Sequence, residues 1–146
     1  MKTILVPVDF SNVSSRVVET AAQLAEAFGS RVILLHVAEP QPQFVGIDPG
    51  PLSVQVAVLG DIQADKRRLE ALKEKFGKTE VLALQAQGSI PDEVLTLARE
   101  HGATLIVMGS HGHGALYHLL AGSVTSAILK DAGCPVLVVP SGLRKQ

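Results

Sequence analysis

The chain contains no tryptophan, a single tyrosine, four phenylalanines and one cysteine. With aromatics this scarce, Val, Leu, Ile and Ala must fill the core. The lone cysteine, Cys134, cannot form an internal disulfide and fits a reducing compartment. Charge is sparse too: Asp, Glu, Lys and Arg make up 18% of the chain, against ~25% in ordinary globular proteins. The net charge of −1 leaves no basic field for a phosphate backbone, so nucleic acid is not an expected partner. A hydrophobic share of 47% excludes disorder, and 13 Gly with 8 Pro exclude low-complexity classes. No continuous membrane-length apolar run is present. The opening MKTILVPVDF is interrupted by Pro7 and Asp9 and lacks a following cleavage site, so it does not read as a secretory signal. His101 to Leu129 runs 29 residues without Asp, Glu, Lys or Arg, but five Gly and four His break it as a membrane span. A soluble, cytoplasmic protein without membrane insertion is expected.

The 146 residues suit one domain, 1–146, able to bury roughly 70% of its unfolded surface without a disulfide or metal. Five β-rich runs stand out: Thr3–Val8, Arg31–Val37, Val81–Ala86, Thr104–Met108 and Pro135–Val139. Most are continuously apolar, the pattern of parallel strands covered on both faces. Pro7 removes a ladder donor and is therefore expected at a strand end. Helical spacing marks Ser11 to Phe28 (with Ser11 or Asn12 as N-cap and Gly29 as stop), about Leu52 to Phe76, Pro91 to His101, and Ser123 to Asp131 with a stop at Gly133. Residues 41–51, rich in Pro and Gly, read as a mobile loop. Strand–helix alternation with short connections implies right-handed crossovers and a doubly wound α/β fold with helices on both faces. Such sheets bind ligands beyond the carboxyl ends of their strands, where strand order reverses.

Two strand ends carry chemistry. The first run delivers Asp9 just past a buried strand and before a helix. The fourth leads into Met108-Gly109-Ser110-His111-Gly112-His113-Gly114 and, later, Gly122-Ser123-Val124-Thr125. Gly109 and Gly112 allow backbone to approach a ligand closely, and Gly122-Ser123 opens a helix whose N–H groups attract an anion. Ser123 and Thr125 add hydroxyl donors. No Asp or Glu falls between Glu100 and Asp131 to oppose a phosphate. The same residues also read as tight turns, with Ser123 merely capping a helix. If the first and fourth strands are neighbours, Asp9 and Gly109 face one crevice.

The spacing Gly109-x-x-Gly112, nine residues, Gly122-Ser123 matches the nucleotide-binding signature of the universal stress protein family. The opening ILVPVD, LLHV in the second run, the Gly88-Ser89-Ile90-Pro91 turn, LIVMGSHG and the closing CPVLVV resemble that family in order along nearly the whole chain. The resemblance implies a five-stranded parallel sheet of order 3-2-1-4-5 that binds an adenine nucleotide, and homodimers formed through the strand at 135–139. It implies that Val8 and Val37 line adenine, Val37 chiefly through its backbone, and that Asp9 lies near the ribose and the metal–phosphate region. Met108 and Gly109 would form the wall at the ribose. Gly112, Gly122, Ser123, Val124 and Thr125 would form the phosphate cradle, with His113 beside it. ATP is the expected ligand, with Mg²⁺ carried by its phosphates. A nucleotide-sensing stress-response regulator is the leading functional expectation. A dimeric interaction module with a vestigial pocket, or a slow ATPase using Asp9, are the alternatives.

Other signals have plainer readings. His111, His113 and His118 lack the Cys or nearby carboxylate that would complete a zinc site. Asp9 paired with His111 suggests acid–base chemistry, but Asp9 as a cap or ribose holder is the simpler role. Cys134 suits packing as a small hydrophobe. The charges at Asp65-Lys66-Arg67-Arg68 and Lys73-Glu74-Lys75 read as the solvated face of the second helix. There is no Walker lysine, so backbone groups would do most of the holding.

Overall fold

The computed structural model describes residues 2–40, 52–110 and 122–142, with backbone alone for 52–60. The mobile loop expected at 41–51 lies outside the described residues, as do the side chains of Leu52, Val56 and Leu59. The elements run β1 (Thr3–Pro7), α1 (Ser14–Phe28), β2 (Arg31–Ala38), α2 (Leu52–Lys73) with a closing 3-10 turn at Glu74–Phe76, β3 (Val81–Gln87), α3 (Ile90–Glu100), β4 (Leu105–Gly109), α4 (Ser123–Asp131) and β5 (Val136–Val139). All strand pairs are parallel, in the order β3-β2-β1-β4-β5. This is the expected doubly wound sheet, and it makes β1 and β4 neighbours at the point where strand order reverses.

The apolar runs are continuous because alternate residues feed two cores. Ile4, Val6, Val32, Leu34 and Val107 face α1 and the end of α2, meeting Val17, Val18, Ala21, Leu69 and Phe76. Leu5, Ile33, Leu35, Ile106 and Met108 face α3 and α4, meeting Val94, Leu95, Ala98 and Ile128. Gly29 (φ 60°) ends α1 in a left-handed cap, its N–H reaching the carbonyls of Ala25 and Glu26.

Several boundaries differ from expectation, each for a local reason. Helix α1 begins at Ser14, not Ser11, and neither Ser11 nor Asn12 caps it; Val13 occupies the N-cap position with no side-chain cap of its own. The Asp9 carboxylate shapes the turn ahead of the helix: its Oδ1 accepts the Ser11 N–H at 2.9 Å and the Ser14 hydroxyl at 3.2 Å, while the Ser14 N–H goes to the Ser11 carbonyl. β4 starts one residue late because Thr104 spends its side chain on β1, accepting the Thr3 N–H and donating to the Thr3 carbonyl. β5 starts at Val136 because Pro135 has no N–H, although its carbonyl still accepts from Ile106. Helix α4 spans the expected Ser123–Asp131, and only its stop differs: the chain turns extended at Ala132, one residue before Gly133.

Leu34 is fully buried between β1, β3 and the helices. Leu34→Ala is expected to lower unfolding free energy by about 3 kcal/mol, checked by urea titration. Cys134 packs partly buried against the second core, and that burial pushes its thiol above the usual range. The folded chain therefore holds a proton that the unfolded chain releases above about pH 8.5. Cys134 then contributes nothing to pH dependence at neutrality and lowers stability as pH rises past that point. Replacing Cys134 with Ala should flatten this alkaline loss, measured as melting temperature against pH.

Candidate functional site

The crevice at the reversal point has an identifiable cause. Peptide groups of successive strand residues point to opposite neighbours. The Val8 N–H donates to the Leu35 carbonyl at 2.8 Å, so Val8 faces β2 and Pro7, one residue earlier, faces β4. Pairing of β1 with β4 runs through Ile4–Leu105 and Leu5–Ile106 and stops there. The next rung would carry a hydrogen from residue 7 to the Val107 carbonyl, and a proline nitrogen has none to give. β4 continues alongside β5 as far as Gly109–Val139. The hydrogen-bonded ladder between the two central strands therefore ends short of their carboxyl ends, with Val8 and Asp9 following β1 on one side and Met108 and Gly109 ending β4 on the other. The expected face-to-face relation of Asp9 and Gly109 across neighbouring strands thus has its topological basis.

Opposite Asp9, the first turn of α4 is bound to the end of β4. The Gly122 N–H donates to the Ser110 carbonyl at 2.9 Å. The buried Thr125 hydroxyl lies 3.1 Å from the carbonyls of both Gly109 and Ser110, so that side chain is committed to holding the helix against the strand. Ser110 also donates its N–H to Val139 and accepts the Ser141 N–H on its Oγ. These bonds join the ends of β4 and β5 to the start of α4.

Gly122 is the N-cap of α4 and, as glycine, brings no side chain of its own to cap it. The first helical N–H groups, at Ser123, Val124 and Thr125, and the exposed Ser123 hydroxyl belong to this helix end. Gly122 is extended (φ −70°, ψ 168°), so its backbone does not itself demand glycine.

Val8, Val37 and Met108 are each less than a tenth exposed, and Asp9 and Gly109 are half-buried. Val37 lies on β2, directly beyond the end of the β1–β2 ladder. Gly112 and His113, together with His111 and His118, lie outside the described residues. Among the described residues no group of three or more His, Cys, Asp or Glu is placed to hold a metal. No helix among them is long and apolar enough to cross a membrane.

Sequence reasoning missed a cluster beside Asp9. His36 Nδ1 lies 2.9 Å from the Val8 carbonyl and its Nε2 3.4 Å from Asp65 of α2. The Phe10 ring packs on the imidazole with centroids 4.4 Å apart, and the Arg68 guanidinium lies 5.5 Å from the centre of the Phe10 ring. Two residues read as a solvated charge run, Asp65 and Arg68, thus reach back to the strand ends. The only sequence signal was a histidine inside an apolar strand.

The comparisons with known proteins agree with this architecture. The model of the universal stress protein family matches residues 1–140. A universal stress protein of Thermus aquaticus is 35% identical over 138 residues, covering 94% of this chain and 98% of its own. The solved structure of protein MJ0577, a universal stress protein of Methanocaldococcus jannaschii, superposes with a TM-score of 0.79 at 28% identity, covering 97% of each chain. A universal stress protein solved in complex with cAMP superposes at 0.72 with 25% identity, covering 97% of this chain and 98% of that one. With its sheet order, its opened crevice and a family match over almost its full length, this chain belongs to the universal stress protein family.

Proposed function

We propose that this protein binds an adenine nucleotide, with ATP as the physiological ligand, and acts as a nucleotide-sensing regulator of a stress response in the cytoplasm. The observation that carries this reading is the N-terminus of α4 with glycine as its N-cap, held to the end of β4 at the point where strand order reverses. Phosphates would sit against the N–H groups of Ser123, Val124 and Thr125 and the Ser123 hydroxyl, where the helix dipole favours negative charge. Gly112, Gly122 and His113 complete this cradle in the family-based assignment. Val8 and Val37 would hold the base, with Met108 and Gly109 along the ribose and Asp9 beside it. Mg²⁺ would arrive on the phosphates and neutralise part of their charge. The relative solved with cAMP is a precedent for an adenine nucleotide on this fold. No Arg or Lys is assigned to the phosphates, which favours sensing over dedicated catalysis. The net charge of −1 argues against nucleic acid as a partner.

Titration calorimetry of nucleotide-free protein with ATP and Mg²⁺ should give one site per chain in the micromolar range, with GTP clearly weaker. Gly122→Val should cut affinity at least tenfold while leaving the melting temperature nearly unchanged, since its backbone conformation accepts valine. Asp9→Asn keeps the oxygen that serves Ser11 and Ser14 and removes only the charge; it should alter ATP affinity without loosening α1. Unchanged ATP binding in Gly122→Val would remove the phosphate cradle from this position.

A second reading, compatible with the first, rests on the sheet edge. β5 is terminal in the sheet, Leu137 on it is exposed, and Val136 and Val138 are only half-buried. An apolar edge strand tends to pair with another. Homodimers through residues 135–139 are expected, with sedimentation giving twice the 15.4 kDa chain mass. Leu137→Lys should shift that equilibrium toward monomer.

A further inference from the structure

The β1–β2 ladder ends in an unusual way. The Arg31 N–H donates to Lys2 and the Leu35 carbonyl accepts from Val8, so the odd-numbered residues of β2 turn their peptide groups toward β1. Val37 does so as well. In a regular parallel ladder the rung after Val8 N–H to Leu35 would carry the Val37 N–H to the Val8 carbonyl. Among the described residues that rung is not formed, and pairing stops at Pro7–Leu35. The Val8 carbonyl is engaged by a side chain instead: His36 Nδ1 sits 2.9 Å from it, on the α2 side of the ladder. A carbonyl can only accept, so the proton of this bond is on Nδ1.

His36 projects to the face that carries α2, whereas Val37 projects to the opposite face. Its bond therefore draws the Val8 carbonyl toward α2 and out of the line of the ladder. The ring cannot easily leave that position. Asp65 lies at its Nε2, Phe10 packs on its face, and Arg68 contacts both Asp65 (3.5 Å) and the Phe10 ring.

We propose that His36 is a positioning residue: by holding the Val8 carbonyl it stops the last β1–β2 rung from closing and keeps the Val37 N–H presented to the nucleobase. This rests on the adenine-nucleotide reading above. A buried backbone N–H requires a partner, and in the complex the base edge serves it.

Two substitutions separate the two ends of the imidazole. His36→Asn places an amide nitrogen near the position of Nδ1 and keeps the Val8 bond. His36→Gln places one near Nε2, keeps the Asp65 contact and releases Val8. Hydrogen exchange of the Val37 amide, followed by NMR on ligand-free protein, reads the rung directly. Wild type and His36→Asn should exchange this amide rapidly and become protected on adding ATP. His36→Gln should show at least tenfold slower exchange without ligand, about tenfold weaker ATP binding, and a smaller preference for ATP over GTP. Asp65→Ala, which loosens only the outer contact of the ring, should move exchange in the same direction by a smaller factor. This variant carries the test if His36→Gln folds poorly. A Val37 amide already protected in ligand-free wild type, or equal exchange and affinity in the Asn and Gln variants, would overturn the proposal. If wild type does not bind ATP, the nucleotide reading fails, and the ligand-free exchange comparison still decides what His36 does.

Discussion

The site depends on a hydrogen atom that is missing. Pro7 lies in the central strand of a parallel sheet, with its nitrogen turned toward β4. Central strands exclude proline because the ladder loses a donor and a buried carbonyl loses its partner. Here that loss falls after two registered residue pairs with β4, while the same strand keeps its pairing with β2 through to Pro7–Leu35. β1 is thus anchored on one side and released on the other. The release falls where the strand order reverses, the place where open α/β sheets have room for a ligand. Moved one residue in either direction, the proline would face β2 and open the sheet on the wrong side.

Around that opening, recognition is left to the backbone. Micromolar affinity needs about 8 kcal/mol, and hydrogen bonds to a charged group contribute about 1.5–3 kcal/mol each. A few amides at the end of α4, with burial of a flat base against Val8, Val37 and Met108, are of the right size without a lysine. The arrangement works only if the amides are held still beforehand. Thr125 and Gly122 do this by binding the helix to the carbonyls of Gly109 and Ser110. Ser110, joined also to Val139 and Ser141, makes the ends of β4, β5 and α4 one rigid unit.

Much of the fold was legible in the sequence because the relevant signals are local. Continuous apolar runs gave the strands, and helical spacing gave the helices to within a few residues. Pro7 as a strand end could be read from chemistry alone. Boundaries failed where side chains bonded to nearby backbone or to each other: Asp9 ties Ser11 and Ser14 into a turn ahead of α1, and Thr104 bonds to Thr3 at the start of β4. The strand order came from resemblance, since no local pattern states which strands are neighbours. In the candidate site, Asp9, Gly109 and the Gly122–Thr125 turn were legible as residue types at strand ends. The cluster of His36, Asp65, Arg68 and Phe10 was not. Its members are separated by up to 58 residues along the chain and meet only because α2 packs over β2.

That cluster also explains a local violation. Phe10 adopts φ 60°, a conformation that bulky residues avoid. Such strain costs about 1–3 kcal/mol and persists only where its surroundings over-determine it. Asp9 fixes the chain on one side by binding Ser11 and Ser14, and the imidazole and guanidinium hold the ring on the other. A glycine would relieve the backbone but would remove the ring that packs His36 against Val8. The left-handed turn is therefore tied to the same requirement as the broken ladder: the chain must leave β1 abruptly after Val8, so that β2 can present a peptide edge that β1 does not cover.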